Sequence, residues 1–143
     1  MRQMDAIDRI VEEFDRLVAL GRDGVATRPL AERIVYYVVA TRYEIDIDGF
    51  MSVYEQDLSP AELELLINGL QRIGEPELAT EFRHGLESLD SEGFYGHMNW
   101  NKVSPTVKAE IDAIRERIGP RLWDLDEKLA ALLDHDAAVR PAG

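Results

Sequence analysis

The feature that most constrains the fold is the recurrence of apolar residues every three or four positions along most of the chain. Segments 7–18, 63–73 and 107–118 show it clearly, and this spacing places their apolar side chains on one face of a helix. We find no stretch with the strict apolar–polar alternation of a half-buried strand. The pattern therefore predicts an all-α fold, a single compact domain of about six or seven helices over residues 1–136, with a frayed tail over 137–143.

The first helix should end at Gly21 and Gly24, because glycine is common just past helix ends. Its predicted inner face consists of Ile7, Ile10, Val11, Phe14, Leu17 and Val18.

The next segment, "LAERIVYYVVATRY", follows Pro29 and is rich in β-branched and aromatic residues, so a strand is an alternative. Its length and its lack of alternation favour a buried helix. Near the other end of the chain, Pro120 either kinks or restarts a helix.

The most clearly marked helix begins at Pro60. Ser59 can cap it, proline suits the first helical position, and Glu62 completes a capping box. Gly74 should stop it. A second start signal, Ser104 followed by Pro105, introduces another helix.

The composition narrows the classes of function. The 143 residues carry a net charge of −12, which argues against direct binding to nucleic acids or anionic membranes. The chain has no cysteine, so disulfides and thiolate metal sites are excluded. No apolar run approaches the ~18 residues of a membrane span, and acids interrupt the N-terminal apolar run, unlike in a signal peptide. We therefore expect a cytoplasmic protein.

The acidic residues are unevenly distributed. Between Tyr43 and Gln71 the chain carries seven acids and no base, and further acids follow Arg72. Such a run usually means only a solvated face. If it is functional, the candidate partner-binding residues are Glu44, Asp46, Asp48, Glu55, Asp57, Glu62, Glu64, Glu75, Glu77 and Glu81.

Part of this run also has the spacing of a calcium loop. An EF-hand loop places oxygen ligands at positions 1, 3, 5, 9 and 12 and glycine at 6. With Gly49 at position 6, the ligands would be Glu44, Asp46, Asp48, Ser52 and Glu55. Against this alternative, Pro60 interrupts the exit helix and no second loop carries the bidentate carboxylate.

Glu44, the pair Gly49-Phe50 and the aromatic Tyr54 together resemble the signature of a bacterial family of domains of unknown function that includes the neisserial DNA-mimic protein. The leucine-rich "SPAELELLINGLQRIGEPELATEF" and the later "LESLDSEGFY" are similar to further elements of that family. The resemblance covers about residues 35–95. It implies an all-helical, monomeric or homodimeric protein without a cofactor.

The family resemblance also implies a mechanism. Carboxylates on rigid helices can imitate the phosphate array of duplex DNA, so the protein would bind a basic surface, such as that of a DNA-binding transcription factor. We therefore expect a non-enzymatic protein–protein interaction module. An immunity or antitoxin-like binder depends on the same physics and stays an alternative.

An enzymatic function has little support in the sequence. No phosphate-binding loop, nucleophile elbow or zinc helix occurs. The most enzyme-like stretch is "GFYGHMNWN", where an aromatic loop covering the core is the commoner explanation. We expect no catalytic residues, no cofactor and no metal outside the calcium alternative.

Overall fold

The computed structural model describes residues 5–48, 60–90 and 102–139, which form six α-helices and contain no strand. The all-α prediction is confirmed. In chain order the helices are α1 (Ala6–Ala26), α2 (Leu30–Asp48), α3 (Pro60–Arg72), α4 (Pro76–Asp90), α5 (Pro105–Leu122) and α6 (Asp126–Val139).

Helix α2 is the centre of the fold, since it packs against α1, α3, α5 and α6. Around it, α1 also contacts α6, and α4 contacts both α3 and α5. The side chains of Ile34, Val35, Val38 and Val39 are almost fully buried. Four helices cover this apolar part of α2, which is why the β-branched segment lies in the interior of the fold.

The burial of α1 differs from the predicted face. Ile10 and Leu17 are fully buried, as expected. By contrast, Ile7, Val11 and Val18 are 61%, 38% and 50% exposed. The apolar stripe of α1 is therefore wider than the surface that its neighbours cover.

The predicted helix ends are largely present. Gly21 has φ 75° and ψ 166°, a conformation essentially restricted to glycine, and it breaks α1 into two helical segments. Gly24 lies inside the second segment, so it does not end the helix as predicted. At the end of α3, Gly74 has φ 82°, and Glu75 N–H donates to the Leu70 carbonyl at 2.8 Å. This pattern is a Schellman cap.

The two prolines of α5 have different roles. Pro105 occupies the first turn, and the hydroxyl of Ser104 accepts from Val107 N–H at 3.2 Å, which confirms the predicted start. Pro120 lies inside the last turn of α5, so it does not restart the helix, which was one of its two predicted roles. Gly119 precedes it and has no Cβ to clash with the proline ring.

Helix α6 continues to Val139, so residues 137–139, which we expected to be frayed, are helical. None of the described helices is both long and apolar enough to cross a membrane.

A buried ion pair fixes α2 to the turn between α5 and α6. The Arg42 guanidinium donates to both oxygens of Asp126, at 2.9 and 3.3 Å, and to the Leu122 carbonyl at 3.3 Å. Arg42 is 1% exposed and Asp126 is 6% exposed. The guanidinium also lies 4.6 Å from the ring centroid of Trp123. The two terminal nitrogens of Arg42 and both oxygens of Asp126 thus have partners inside the protein, whereas Arg42 Nε has none among the described residues.

A second buried carboxylate lies at the start of α2. Glu32 accepts hydrogen bonds from Arg28 at 3.1 Å and from Arg16 on α1. Burial raises the pKa of Glu32, but the hydrogen bonds from Arg28 and Arg16 outweigh it, so the pKa lies below its usual value. The ionised form of Glu32 thus contributes to stability.

Folding lowers the pKa of Glu32. Its contribution to the free energy of unfolding should therefore be complete above the unfolded pKa of about 4.3. That contribution should disappear as the pH falls through the pKa of the folded state. We expect Glu32→Gln to lower the free energy of unfolding by about 1–3 kcal/mol at neutral pH and by much less near pH 3. Urea unfolding at several pH values measures this difference. Glu127→Gln, an exposed change on α6, serves as the control, and a loss that does not depend on pH would contradict the assignment.

Candidate functional site

The predicted partner-binding acids are divided between described and undescribed parts of the chain. Glu55 and Asp57 lie outside the described residues, as does Ser52 of the calcium alternative. The remaining members lie on α2, α3 and α4 or in the α3–α4 turn.

The acids of α3 have partners on neighbouring helices. Glu62 accepts from Arg22 of α1 at 3.2 Å and is hydrogen-bonded to the buried hydroxyl of Tyr37 on α2. Burial and the hydrogen bond to Glu62 raise the pKa of Tyr37 to about 12. Glu64 accepts two hydrogen bonds from Arg83 of α4, at 3.1 and 3.2 Å. Glu62 thus joins three helices, whereas Ser59, its predicted capping partner, lies outside the described residues.

The acids at the start of α4 also face cations, which come from α5 and α6. The contacts are Glu75 with Arg121 and Lys128, Glu77 with Arg121, and Glu81 with Arg117. Arg121 bridges Glu75 and Glu77 at 3.1 Å each. These acids therefore stabilise the packing of α4 on its neighbours and do not form a bare anionic array.

The backbone of residues 44–48 does not have the form of a calcium loop. These residues form the last turns of α2, whereas the EF-hand alternative requires a loop beginning at Glu44. Two residues apart on a helix, Glu44 and Asp46 point in directions about 200° apart. No group of three or more potential metal ligands occurs within 5–48, 60–90 and 102–139. Gly49, Ser52 and Glu55 of this alternative lie outside the described residues, so the calcium loop stays a prediction.

Asp46 borders a concave surface between α2 and α5, whereas Glu64, Glu77 and Glu81 border two smaller cavities. This surface, which we call the α2–α5 groove, has a volume of about 890 Å³. Its lining residues are Ile45, Asp46, Asp112, Arg115, Glu116, Gly119, Pro120 and Trp123. The groove combines three carboxylates and one guanidinium with an apolar base.

The carboxylates of the groove differ from those of α3 and α4. Asp46, Asp112 and Glu116 are all exposed, and none of them has an ion pair within the described part of the chain. Asp112 and Glu116 are four residues apart on α5, so they lie on the same face of that helix. Their charges are available to a cation from outside.

Trp123 is held in place at the edge of the groove. The Arg42 guanidinium lies against its ring, and Tyr43 contacts it edge-on, with ring centroids 5.3 Å apart. This half-buried side chain thus belongs to a rigid cluster around the buried Arg42–Asp126 pair. The sequence signalled Asp46 through the acidic run, but Asp112, Glu116 and Trp123 were missed because each lies more than sixty residues away from it.

A surface contact between α4 and α5 involves a histidine. His84 Nε2 is hydrogen-bonded to Glu110, and this bond lowers the pKa of that carboxyl. Both side chains are more than a third exposed. The pair links two helices and borders none of the described cavities.

No family model, no curated protein and no solved structure matches the chain. The similarity to the family of the neisserial DNA-mimic protein stays a prediction from the residues alone.

Proposed function

We propose that this protein is a non-enzymatic interaction module that binds a basic surface of another protein through the α2–α5 groove. The observation that carries the proposal is the contrast between two sets of acids. Those of α3 and α4 are paired with arginines or lysine, whereas Asp46, Asp112 and Glu116 surround a groove and have no ion pair within the described part of the chain.

The chemistry of the groove suits a lysine or arginine side chain. Carboxylates form strong, charge-assisted hydrogen bonds with ammonium and guanidinium groups. Ile45, Pro120 and Trp123 offer apolar surface to the aliphatic stem of such a side chain. The net charge of −12 would steer a basic partner toward the protein from a distance.

In its finer form the proposal is DNA mimicry in the cytoplasm. The partner would be a DNA-binding transcription factor whose basic surface binds this protein in place of DNA, as the family resemblance implies. The support for this form is the residue pattern around Glu44 and Gly49 together with the acidic charge.

A salt-dependent capture experiment tests the proposal. The full chain is immobilised and exposed to host lysate at about 50 mM salt, and bound proteins are eluted at about 500 mM, where charge attraction is strongly screened. We expect basic proteins to elute with salt. The variant Asp112→Asn/Glu116→Gln should capture them at least about tenfold less.

Glu87→Gln/Glu127→Gln is the matched control, since it removes two exposed charges from α4 and α6, outside the groove. Capture by this control should equal that of the wild type. The proposal fails if no basic protein elutes with salt, or if the groove variant and the control capture the same amount.

A further inference from the structure

Helix α1 exposes a row of apolar side chains that the other described helices do not cover. Ile7, Val11 and Val18 are 61%, 38% and 50% exposed, and we call them the α1 ridge. Phe14 lies between Val11 and Val18, is half-buried, and packs on the ring of Tyr43 at a centroid distance of 5.9 Å. Phe14 thus connects the ridge to the aromatic side chains of α2.

The spacing of this row is that of a helix-pairing seam. Ile7, Val11, Phe14 and Val18 follow one another at intervals of four, three and four residues, as the a and d positions of a heptad do. The row extends for about 16 Å along the helix, since each residue adds about 1.5 Å. Ile10 and Leu17, by contrast, are fully buried in the protein's own core.

Acidic residues border the ridge on the side away from the core. At about 100° per residue, Asp8 and Asp15 lie beside the ridge, Glu12 lies one step farther round the helix, and all three lie opposite Ile10 and Leu17. All three acids are exposed, and none has an ion pair within the described residues. Heptad sequences carry their interhelical charges beside the apolar seam in the same way.

We infer that the α1 ridge binds a cationic amphipathic helix of a partner protein. The partner's apolar residues would pack between those of the ridge, and its lysines or arginines would face Asp8 and Asp15, with Glu12 adding negative charge nearby. This inference rests on the proposed function in one respect, namely that the partner is basic.

A second copy of this chain is a poor occupant of the ridge. Each copy carries a net charge of −12, and pairing two ridges would bring the same exposed acids close to one another. Like charges at such positions oppose helix pairing. Charge complementarity thus selects a basic helix.

The ridge and the α2–α5 groove are connected by aromatic contacts. Phe14 touches Tyr43, and Tyr43 touches Trp123 at the edge of the groove. One basic partner can therefore engage both surfaces, with a helix on the ridge and a cationic side chain in the groove.

The probe is a synthetic peptide of about three heptads, with leucine at the a and d positions and lysine at e and g. Its binding to the full chain is measured by calorimetry at about 50 and 300 mM salt. A scrambled peptide of the same composition keeps the charge but has no apolar seam. We expect the amphipathic peptide to bind at least about tenfold more tightly than the scrambled one.

Two variants test whether the peptide binds at the α1 ridge. Ile7→Gln/Val18→Gln removes apolar surface without changing the charge, and Glu12→Gln/Asp15→Asn removes charge without changing the apolar residues. Each should weaken peptide binding about tenfold or more, and the second should also reduce the salt dependence. Both variants should remain helical, which circular dichroism checks.

The controls are Leu20→Gln, which changes an exposed apolar residue of α1 outside the ridge, and Glu87→Gln/Glu127→Gln for the charge. Both should bind the peptide as the wild type does. Equal binding of the scrambled peptide, or wild-type affinity in Ile7→Gln/Val18→Gln, would overturn the inference.

Failure of the ridge inference can be distinguished from failure of the proposed function. If basic proteins are captured from lysate but the ridge variants bind the peptide normally, the inference is wrong and the proposed function stands. If the peptide binds at the ridge but no basic protein elutes with salt, the proposed function is wrong and the inference stands.

Discussion

Replacing Arg42 with methionine should lower the free energy of unfolding by about 3–5 kcal/mol. The change leaves the carboxylate of Asp126 in an almost fully buried place without its guanidinium partner, and it also removes the contact with Trp123. An uncompensated buried charge is among the most destabilising results of a single substitution. Urea unfolding followed by circular dichroism measures the loss.

The double variant Arg42→Met/Asp126→Leu distinguishes the effect of the unpaired charge on stability from the effect of altered packing. If the loss comes from the unpaired charge, removing both charges should recover most of it, because apolar residues often replace a buried ion pair at little cost. Arg72→Met, an exposed change on α3, should be close to neutral. A double variant no more stable than Arg42→Met would show that the shape of the site, and not its charge, determines the loss.

Replacing Gly69 with valine should cost about 3 kcal/mol, the upper end of the usual cost of overpacking. A Cβ at Gly69 would lie 2.8 and 2.9 Å from the γ carbons of Ile34, which is 1% exposed and belongs to α2. A β-branched side chain in a buried position has little freedom to move away. Helices α2 and α3 would therefore have to separate, and thermal unfolding should show the loss.

The matched control for this prediction is Asn68→Ala. Asn68 is the exposed neighbour of Gly69 on α3, and alanine favours a helix, so stability should stay equal or rise slightly. The compensating variant Gly69→Val/Ile34→Ala should be more stable than Gly69→Val alone. If Gly69→Val is as stable as the wild type, α2 and α3 do not approach each other as closely as described.

Much of the local structure was predictable from the sequence. The Gly74 cap and the Ser104–Pro105 start follow from interactions between residues a few positions apart. The interior position of α2 was also predictable, because a helix without a polar face has to be covered.

The candidate site was much less predictable. The charges of Glu75 and Glu81 are matched by Arg121 and Arg117, which follow more than thirty residues later in the chain. A run of acids in sequence says nothing about which helix will pack beside it. The same is true of α1. The spacing of apolar residues defines its stripe, but whether Ile7 and Val18 are buried depends on how the helices beside α1 pack against it.

The packing of α1 on α6 has a consequence for how the chain folds. Arg9, near the start of the described chain, lies 2.7 Å from Asp134, near its end. Contacts of such large sequence separation carry the highest loop-closure cost and slow folding relative to a simple succession of helical hairpins. Docking of α1 on α6 joins the two helices that are farthest apart in the described chain, so it depends on the long-range part of the fold.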